Sequence, residues 1–179
     1  MYELLEGKNI VLRKAKSSDY KSMLKHVWSD ESVYKWMLFQ PTFTEKDAID
    51  RCERSINFQK DHYAYFIALK ETDEAIGLCA IDESEPFVFK ECGICIGTVF
   101  QGKGYGKEIV SLLLDLAFNK LKGDKFVYGY YQDNVKSKRL AESFGFKYFE
   151  TEKIVRQWDN TEKTIDYCCL TKEEWKRKE

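Results

Sequence analysis

The chain has 179 residues, enough for one domain that buries roughly two-thirds of its unfolded surface. Its 29 basic and 30 acidic residues leave a net charge of −1, without the positive excess of a general nucleic-acid binder. No apolar run approaches the roughly 20 residues of a membrane span, and the opening MYELLEGKNIVLRK carries acids where a secretion signal carries bases. The sequence therefore reads as one cytoplasmic domain over residues 1–179, with neither membrane nor nucleic acid as partner.

In chain order, NIVLRKA (9–15) reads as a first strand. Ser17 or Ser18 then caps a helix through DYKSMLKHVWS, and SDESVYKWMLF (29–39) reads as a second. Thr44 caps a third helix over 45–60. Strands follow at AYFIALKE (64–71) and AIGLCAID (75–82), separated by the polar turn TDE. CGICIGTV (92–99) is the next strand, followed by a glycine turn and a long helix from Tyr105 to Leu121. KFVYGYY (125–131) is a strand and NVKSKRLAESF (134–144) a helix. Residues 146–158 and 163–171 form a hairpin around DNTE, and the tail 172–179 is expected to fray. Antiparallel strands followed by strand–helix–strand–helix indicate a mixed α/β sheet with helices packed on it.

Six cysteines raise the question of a disulfide or a metal. Cys92 and Cys95 form a C-x-x-C inside a strand, where residues three apart face opposite sides and cannot pinch one ion. Cys168 and Cys169 are adjacent in a strand, and His26 and His62 stand alone. Reduced, buried thiols and no metal site are expected.

The informative stretch is FQGKGYGKEIVSLLLDLAF, Phe100 to Phe118. The opening N–H groups of a helix lack intrahelical partners, and the helix dipole adds partial positive charge there. Gly102, Gly104 and Gly106 let the backbone approach a ligand closely, and Lys103 and Lys107 add charge. Together these make an anion cradle. Ile109, Leu112, Leu113 and Leu116 form the apolar stripe that fastens the helix. A plain glycine turn with solvated lysines is the bland alternative, although glycine at a helix start costs stability.

Two phosphate loops fail on inspection. GTVFQGKG matches the nucleotide-triphosphate loop except at Gly104, where a metal-ligating hydroxyl is needed. The dinucleotide pattern fails because GKGYG places one residue, not two, between its last glycines. Gln101, Gly104 and Gly106 instead satisfy Q/R-x-x-G-x-G/A, which resembles the pyrophosphate loop of the GNAT superfamily of acetyl-CoA-dependent N-acetyltransferases. One strand later, NVKSKRLAESFGF (134–146) is similar to that family's second cofactor segment. LRKAKSSDYKSML resembles its opening strand and helix, and AIGLCAI its third strand. WSDESVYKWM resembles the branch of ribosomal-protein N-terminal acetyltransferases.

The resemblance implies a GNAT-like α/β (α+β) fold: a mixed, mostly antiparallel sheet with splayed central strands and helices on both faces. The splayed strands would be Cys92–Thr98 and Lys125–Tyr131. Acetyl-CoA is the implied cosubstrate, without a metal. Backbone groups of Ile94 and Ile96 would pair with the pantetheine arm as a missing strand does. Gln101, Gly102, Lys103, Gly104, Tyr105 and Gly106 would hold the pyrophosphate, and Asn134 would bond the arm. Gly129 suits a strand that bends or admits a close neighbour.

The implied reaction is direct attack of an amine on the thioester through a tetrahedral oxyanion, stabilised by a backbone N–H near Ile96. An amine with pKa near 10 needs a base, and the thiolate an acid. Glu91 is the candidate base, with Asp82, Glu83 and Glu85 as competitors on a flexible loop. Where many family members carry an acidic tyrosine, this chain has Ala141; Ser137 is the alternative acid, with Tyr130 and Tyr131 behind it. Taken without the resemblance, Glu91 is a solvated strand-end carboxylate and Ser137 a first-turn serine.

The acceptor could be a protein N-terminus, an aminoglycoside, a polyamine or another small amine. The closing hairpin could join the sheet of a second copy as a homodimer. A non-catalytic module that keeps acyl-CoA binding as a sensor or scaffold is the second reading, and Ala141 favours it.

Overall fold

Period-2 and period-3.6 patterns become strands and helices in the computed structural model, which describes residues 2–176. The elements are β1 (Leu4–Glu6), β2 (Ile10–Arg13), α1 (Tyr20–Met23), α2 (Glu31–Tyr34), α3 (Glu45–Phe58), β3 (Tyr63–Leu69), β4 (Ala75–Glu85) and β5 (Val88–Ile96). After these come α4 (Tyr105–Asp115), β6 (Lys125–Tyr131), α5 (Val135–Phe144), β7 (Lys147–Arg156), β8 (Thr161–Thr171) and α6 (Lys172–Lys176). Wide π turns extend α1 through Leu24–Trp28 and α4 through Leu116–Lys120.

The chain packs as two compact units. The first holds the described residues up to Ile81 together with Cys92–Leu112; the second holds Asp82–Glu91 and the described residues from Leu113. In the first unit β1, β2, β3 and β4 pair in that order, all antiparallel, with Leu5 opposite Leu12, Leu12 opposite Ile67, and Phe66 opposite Leu78. β3 is buried from Ala64 to Ala68, so its apolar residues run without alternation. One face carries a cluster of Met23, Val27, Trp28, Val33, Ala48, Cys52 and Phe66, which seats α1, α2 and α3. Thr44 caps α3 as expected, its hydroxyl accepting from the Asp47 N–H at 3.1 Å.

In the second unit the order is β5, β6, β8, β7. β5 and β6 are parallel, whereas β6–β8 and β7–β8 are antiparallel. Phe118 packs on Trp175 at 5.4 Å between ring centres, and Phe126 and Tyr128 both meet Phe146. This is the mixed, mostly antiparallel α/β class that the sequence indicates.

Several expectations change. β1 precedes the expected first strand; three residues with one buried side chain carry too little pattern to announce themselves. Neither Ser17 nor Ser18 caps α1: both lie inside a 3-10 turn, and Asp19 Oδ2 accepts from the Lys16 N–H at 2.7 Å instead. β4 extends to Glu85 and β5 starts at Val88. Asp82, Glu83 and Glu85 are therefore strand residues rather than loop residues, and Glu91 lies mid-strand. The tail forms α6 with Trp175 buried, while 177–179 lie outside the described residues. Of the thiols, Cys52, Cys79 and Cys168 are buried but Cys92 is exposed.

The first unit also buries an ion pair. Arg13 and Asp19, with side chains 8% and 6% exposed, form a two-pronged bridge at 2.8 and 2.9 Å. The remaining Arg13 Nε donates to Asp73 at 2.6 Å. Removing one member of such a pair leaves a buried charge without compensation. Asp19→Ala should lower the unfolding free energy by about 3–5 kcal/mol. Urea denaturation checks this, and Asp73→Ala, whose carboxylate is half exposed, should cost much less.

Candidate functional site

The cradle is built as the sequence indicates. A 3-10 turn over Thr98–Phe100 leads into the glycine run, and α4 begins at Tyr105. Gly102 and Gly104 have φ of +78° and +85°, a region that disfavours any Cβ. A Cβ at either position would meet no protein atom within 4 Å, so open space rather than packing surrounds them. The N–H groups of Lys107 and Glu108 return to the Gly104 carbonyl at 3.1 and 3.3 Å. Those of Gly102, Lys103, Gly104, Tyr105 and Gly106 donate to no acceptor among the described residues. Five consecutive amides at a helix start are thus available to an anion.

Gln101 contributes differently from its neighbours. Its N–H donates to the Thr98 carbonyl at 3.1 Å, and its side-chain Nε2 donates to the Ile96 carbonyl at 3.2 Å. It braces the loop against the end of β5, and the available amides begin one residue later. Thr98 is itself held, donating from Oγ1 to Asp30 Oδ2 at 2.7 Å. Asp30 also caps α2, accepting from the Ser32 N–H at 2.9 Å. Asp30 of WSDESVYKWM therefore ties a helix start to the loop that precedes the glycines.

Glu108, one turn into α4, is the loop's second brace and was not singled out in the sequence. Its carboxylate accepts from the Asn9 N–H at 2.7 Å, Asn9 Nδ2 at 3.0 Å and the Ile10 N–H at 3.1 Å. Burial alone would raise its pKa, but the hydrogen bonds from Asn9, Ile10 and Lys8 outweigh it and hold the carboxyl below its ordinary range. No local spacing announces partners almost a hundred residues away.

In the second unit, Asn134 caps α5, its Oδ1 accepting from the Ser137 N–H at 3.2 Å. Ser137 Oγ lies 2.9 Å from the hydroxyl of Tyr128, a residue the sequence reading passed over in favour of Tyr130 and Tyr131. Burial, reinforced by the charge of Glu91, raises the Tyr128 pKa far above the usual phenol value, so Tyr128 stays protonated. The register explains why Glu91 acts on it. Phe89 pairs with Phe126 in the parallel ladder, so two residues on Glu91 and Tyr128 share a face. Cys168, opposite Tyr128 on β8, lies on that face too, and burial with nearby negative charge pushes its thiol up to about 12.

The β5–β6 ladder runs from Val88–Lys125 to Lys90–Val127, and β6 continues to Tyr131 paired with β8. Gly129 admits a close neighbour: a Cβ there would lie 2.8 Å from the Tyr167 ring. Among the described residues, no group of His, Cys, Asp and Glu could hold a metal, and no helix is long and apolar enough to cross a membrane.

Glu108 carries a prediction. A carboxylate held below its ordinary 4.5 contributes stability above that pH and loses it as pH falls through the folded-state value. Glu108→Gln should therefore lower stability at pH 7 by about 2 kcal/mol. It should also reduce the acid-side decline, as thermal unfolding between pH 7 and 3 would show.

Comparisons with known proteins agree with this geometry. Residues 9–147 match the acetyltransferase (GNAT) domain. An N-acetyltransferase p20 of Bacillus licheniformis, named as uncharacterized, is 28% identical over 162 residues, covering 88% of each chain. A GCN5-related N-acetyltransferase from Brucella melitensis superposes with a TM-score of 0.83 at 17% identity, covering 98% of this chain and 81% of its own. A ribosomal-protein-S5-alanine acetyltransferase from Vibrio fischeri does so at 0.75 and 17%, covering 96% of this chain and 98% of its own. The likeness spans both cofactor segments that the sequence offered, and the chain belongs to the GNAT acetyltransferase family.

Proposed function

We propose that this enzyme transfers the acetyl group of acetyl-CoA to a primary amine, a protein N-terminus or a small-molecule amine, by direct attack through a tetrahedral intermediate. The observation that carries the reading is the run of five amides, Gly102 to Gly106, with no acceptor among the described residues at the start of α4. They fit a diphosphate, which needs several convergent donors and a backbone close enough to touch. The family match takes in residues of both units, which supports treating 1–179 as one acetyltransferase domain.

From the first unit, Gly102, Lys103, Gly104, Tyr105 and Gly106 would hold the pyrophosphate, with Gln101 as their brace. Backbone groups of Ile94 and Ile96 would align the pantetheine arm, and an N–H near Ile96 would receive the oxyanion. From the second, Asn134 would bond the arm through the amide nitrogen that its capping oxygen leaves over. Acetyl-CoA supplies an activated acyl group, so no enzyme nucleophile is required.

Glu91 would take the proton of the amine, directly or through water. Ser137 would give one to the departing thiolate. Tyr128, buried and protonated, lies 2.9 Å from Ser137 Oγ; with the phenol as donor, the serine proton would be aimed outward. This arrangement supplies an acid where Ala141 removes the usual tyrosine, and it favours catalysis over a binding-only module.

Two outcomes test the reading. Acetyl-CoA should raise the melting temperature well above any shift from ATP or NAD. Gly104→Val, which puts a branched side chain into the open space beside the amides, should abolish acetyl-CoA binding. Gly106→Ala, which the motif accepts, should instead stabilise the helix start by up to about 1 kcal/mol and keep affinity. Because φ of +85° strains a branched residue, circular dichroism accompanies the Gly104→Val measurement. A folded Gly104→Val protein with unchanged affinity would defeat the cradle.

Removing the acid in Ser137→Ala should lower kcat by about 10²-fold. Tyr128→Phe, which loses one hydrogen bond, should lower it about tenfold without altering acetyl-CoA affinity. The double variant should resemble Ser137→Ala alone, because Tyr128 acts only through the serine; additive losses would separate the two residues.

A further inference from the structure

Among the described residues, Arg13 and Arg156 are buried against carboxylates, whereas Arg51 is partly buried without one. Arg13 is saturated by Asp19 and Asp73. Arg156 presents its Nε–Nη2 edge to both oxygens of Asp159. Arg51, on α3, has no carboxylate partner among the described residues. Its Nη1 donates to the Gln40 carbonyl at 2.8 Å and to Thr42 Oγ1 at 2.9 Å, both neutral. The guanidinium lies 4.4 Å from the ring centre of Phe39 and 4.9 Å from that of Trp28.

These contacts use up one part of the group and leave another. Aromatic rings engage the guanidinium over their faces, and Nη1 spends its two N–H bonds on Gln40 and Thr42. The Nε–H and the Nη2–H beside it remain, the pair whose parallel N–H bonds fit a carboxylate side-on. Trp28 adds a second donor: its indole N–H is buried without any acceptor. The Trp28 N–H is the costly donor, buried with no oxygen to meet it, whereas Arg51 is only partly buried and its Nε–Nη2 edge can be reached by a ligand from solvent. Burial pushes the guanidinium down to about 10, the Cys95 thiol opposing and Arg54 adding to the effect. Cys95 lies between Ile94 and Ile96, so Arg51 neighbours the strand segment assigned to the acyl end.

We propose that the open Nε–Nη2 edge of Arg51 is the recognition point for a carboxylate on the acceptor, which makes the preferred acceptor a small amine that also bears a carboxylate group. The inference rests on the acetyltransferase reading for the amine, but the anion site itself does not. Polyamines and aminoglycosides, which offer only positive charge, are then poor acceptors.

The test uses the full-length chain and two product-like probes, N-acetylglycine and its neutral amide, N-acetylglycinamide, by titration calorimetry. The carboxylate should bind about tenfold or more tighter than the amide. Arg51→Met, which keeps the length and apolar stem, should erase that preference while circular dichroism stays native. Arg51→Lys keeps the charge but not the two-pronged edge, and should retain a reduced preference; it also serves if the methionine variant fails to fold. Equal binding of the two probes by the unaltered protein, or a preference that survives in either variant undiminished, overturns the proposal. Acetyl-CoA is titrated separately. Loss of the carboxylate preference with acetyl-CoA binding intact sinks this site alone, whereas carboxylate binding without acetyl-CoA binding sinks the acetyltransferase reading and leaves the site.

Discussion

A helix cannot satisfy its own first N–H groups, and in this chain α4 is held open at that end rather than closed. Most proteins spend a nearby side chain on the problem, as Thr44 does for α3 and Asn134 for α5. At the cap position of α4 stands Gly104, which has no side chain to accept from these N–H groups. The carboxylate best placed to help, Glu108, is committed to Asn9 and Ile10. Gly102 and Gly104 then take left-handed conformations in open space, and the amides of 102–106 meet no acceptor among the described residues. Each of these choices costs stability locally, and each makes sense if an anion completes the helix.

The rest of the first unit keeps that end in place. Gln101 fastens the loop to the last residue of β5, Asp30 fastens the preceding turn to α2, and Glu108 fastens the first turn of α4 to the β1–β2 connection. Three braces on a five-residue loop produce a preorganised donor set, so little ordering is left for binding to supply. In the second unit a different device would serve the proposed proton transfer. Strand register, not sequence proximity, gathers Glu91, Tyr128 and Cys168 on one face, and α5 lays Ser137 against the phenol. A buried tyrosine beside a carboxylate resists ionisation, which is what a fixed hydrogen-bond donor requires.

What the sequence disclosed follows the range of the interaction. β6 and the Thr44 and Asn134 caps depend on neighbours within four residues, and their patterns are plain in the chain. The glycine turn was legible for the same reason: its conformation is set by the residues in it. Glu108, Tyr128 and Arg51 were not legible. Each looks ordinary among its sequence neighbours, and its meaning comes from partners brought near by folding. The Ser17 and Ser18 expectation failed on a competition that local rules do not resolve: Asp19 reaches back to the Lys16 N–H while also holding Arg13. β1 shows the opposite limit, a strand too short to have a period.

This division also explains why the family likeness reaches the cosubstrate and stops short of the acceptor. A diphosphate held by backbone amides asks only that the chain turn in a certain way, and many sequences can do that. Folds matching at TM-scores of 0.75 to 0.83 therefore survive at 17% identity. An acceptor amine must be told from other amines, and backbone groups, alike at every residue, cannot do it. Discrimination falls to side chains whose charge or shape is left unmatched inside the protein. In the first unit the side chain that fits this description is Arg51, stacked on Trp28 and Phe39 and fixed through Nη1, with its two-pronged edge unclaimed. A cofactor is proposed at amides without acceptors among the described residues, and on the same grounds an acceptor is proposed at a guanidinium edge that no carboxylate claims.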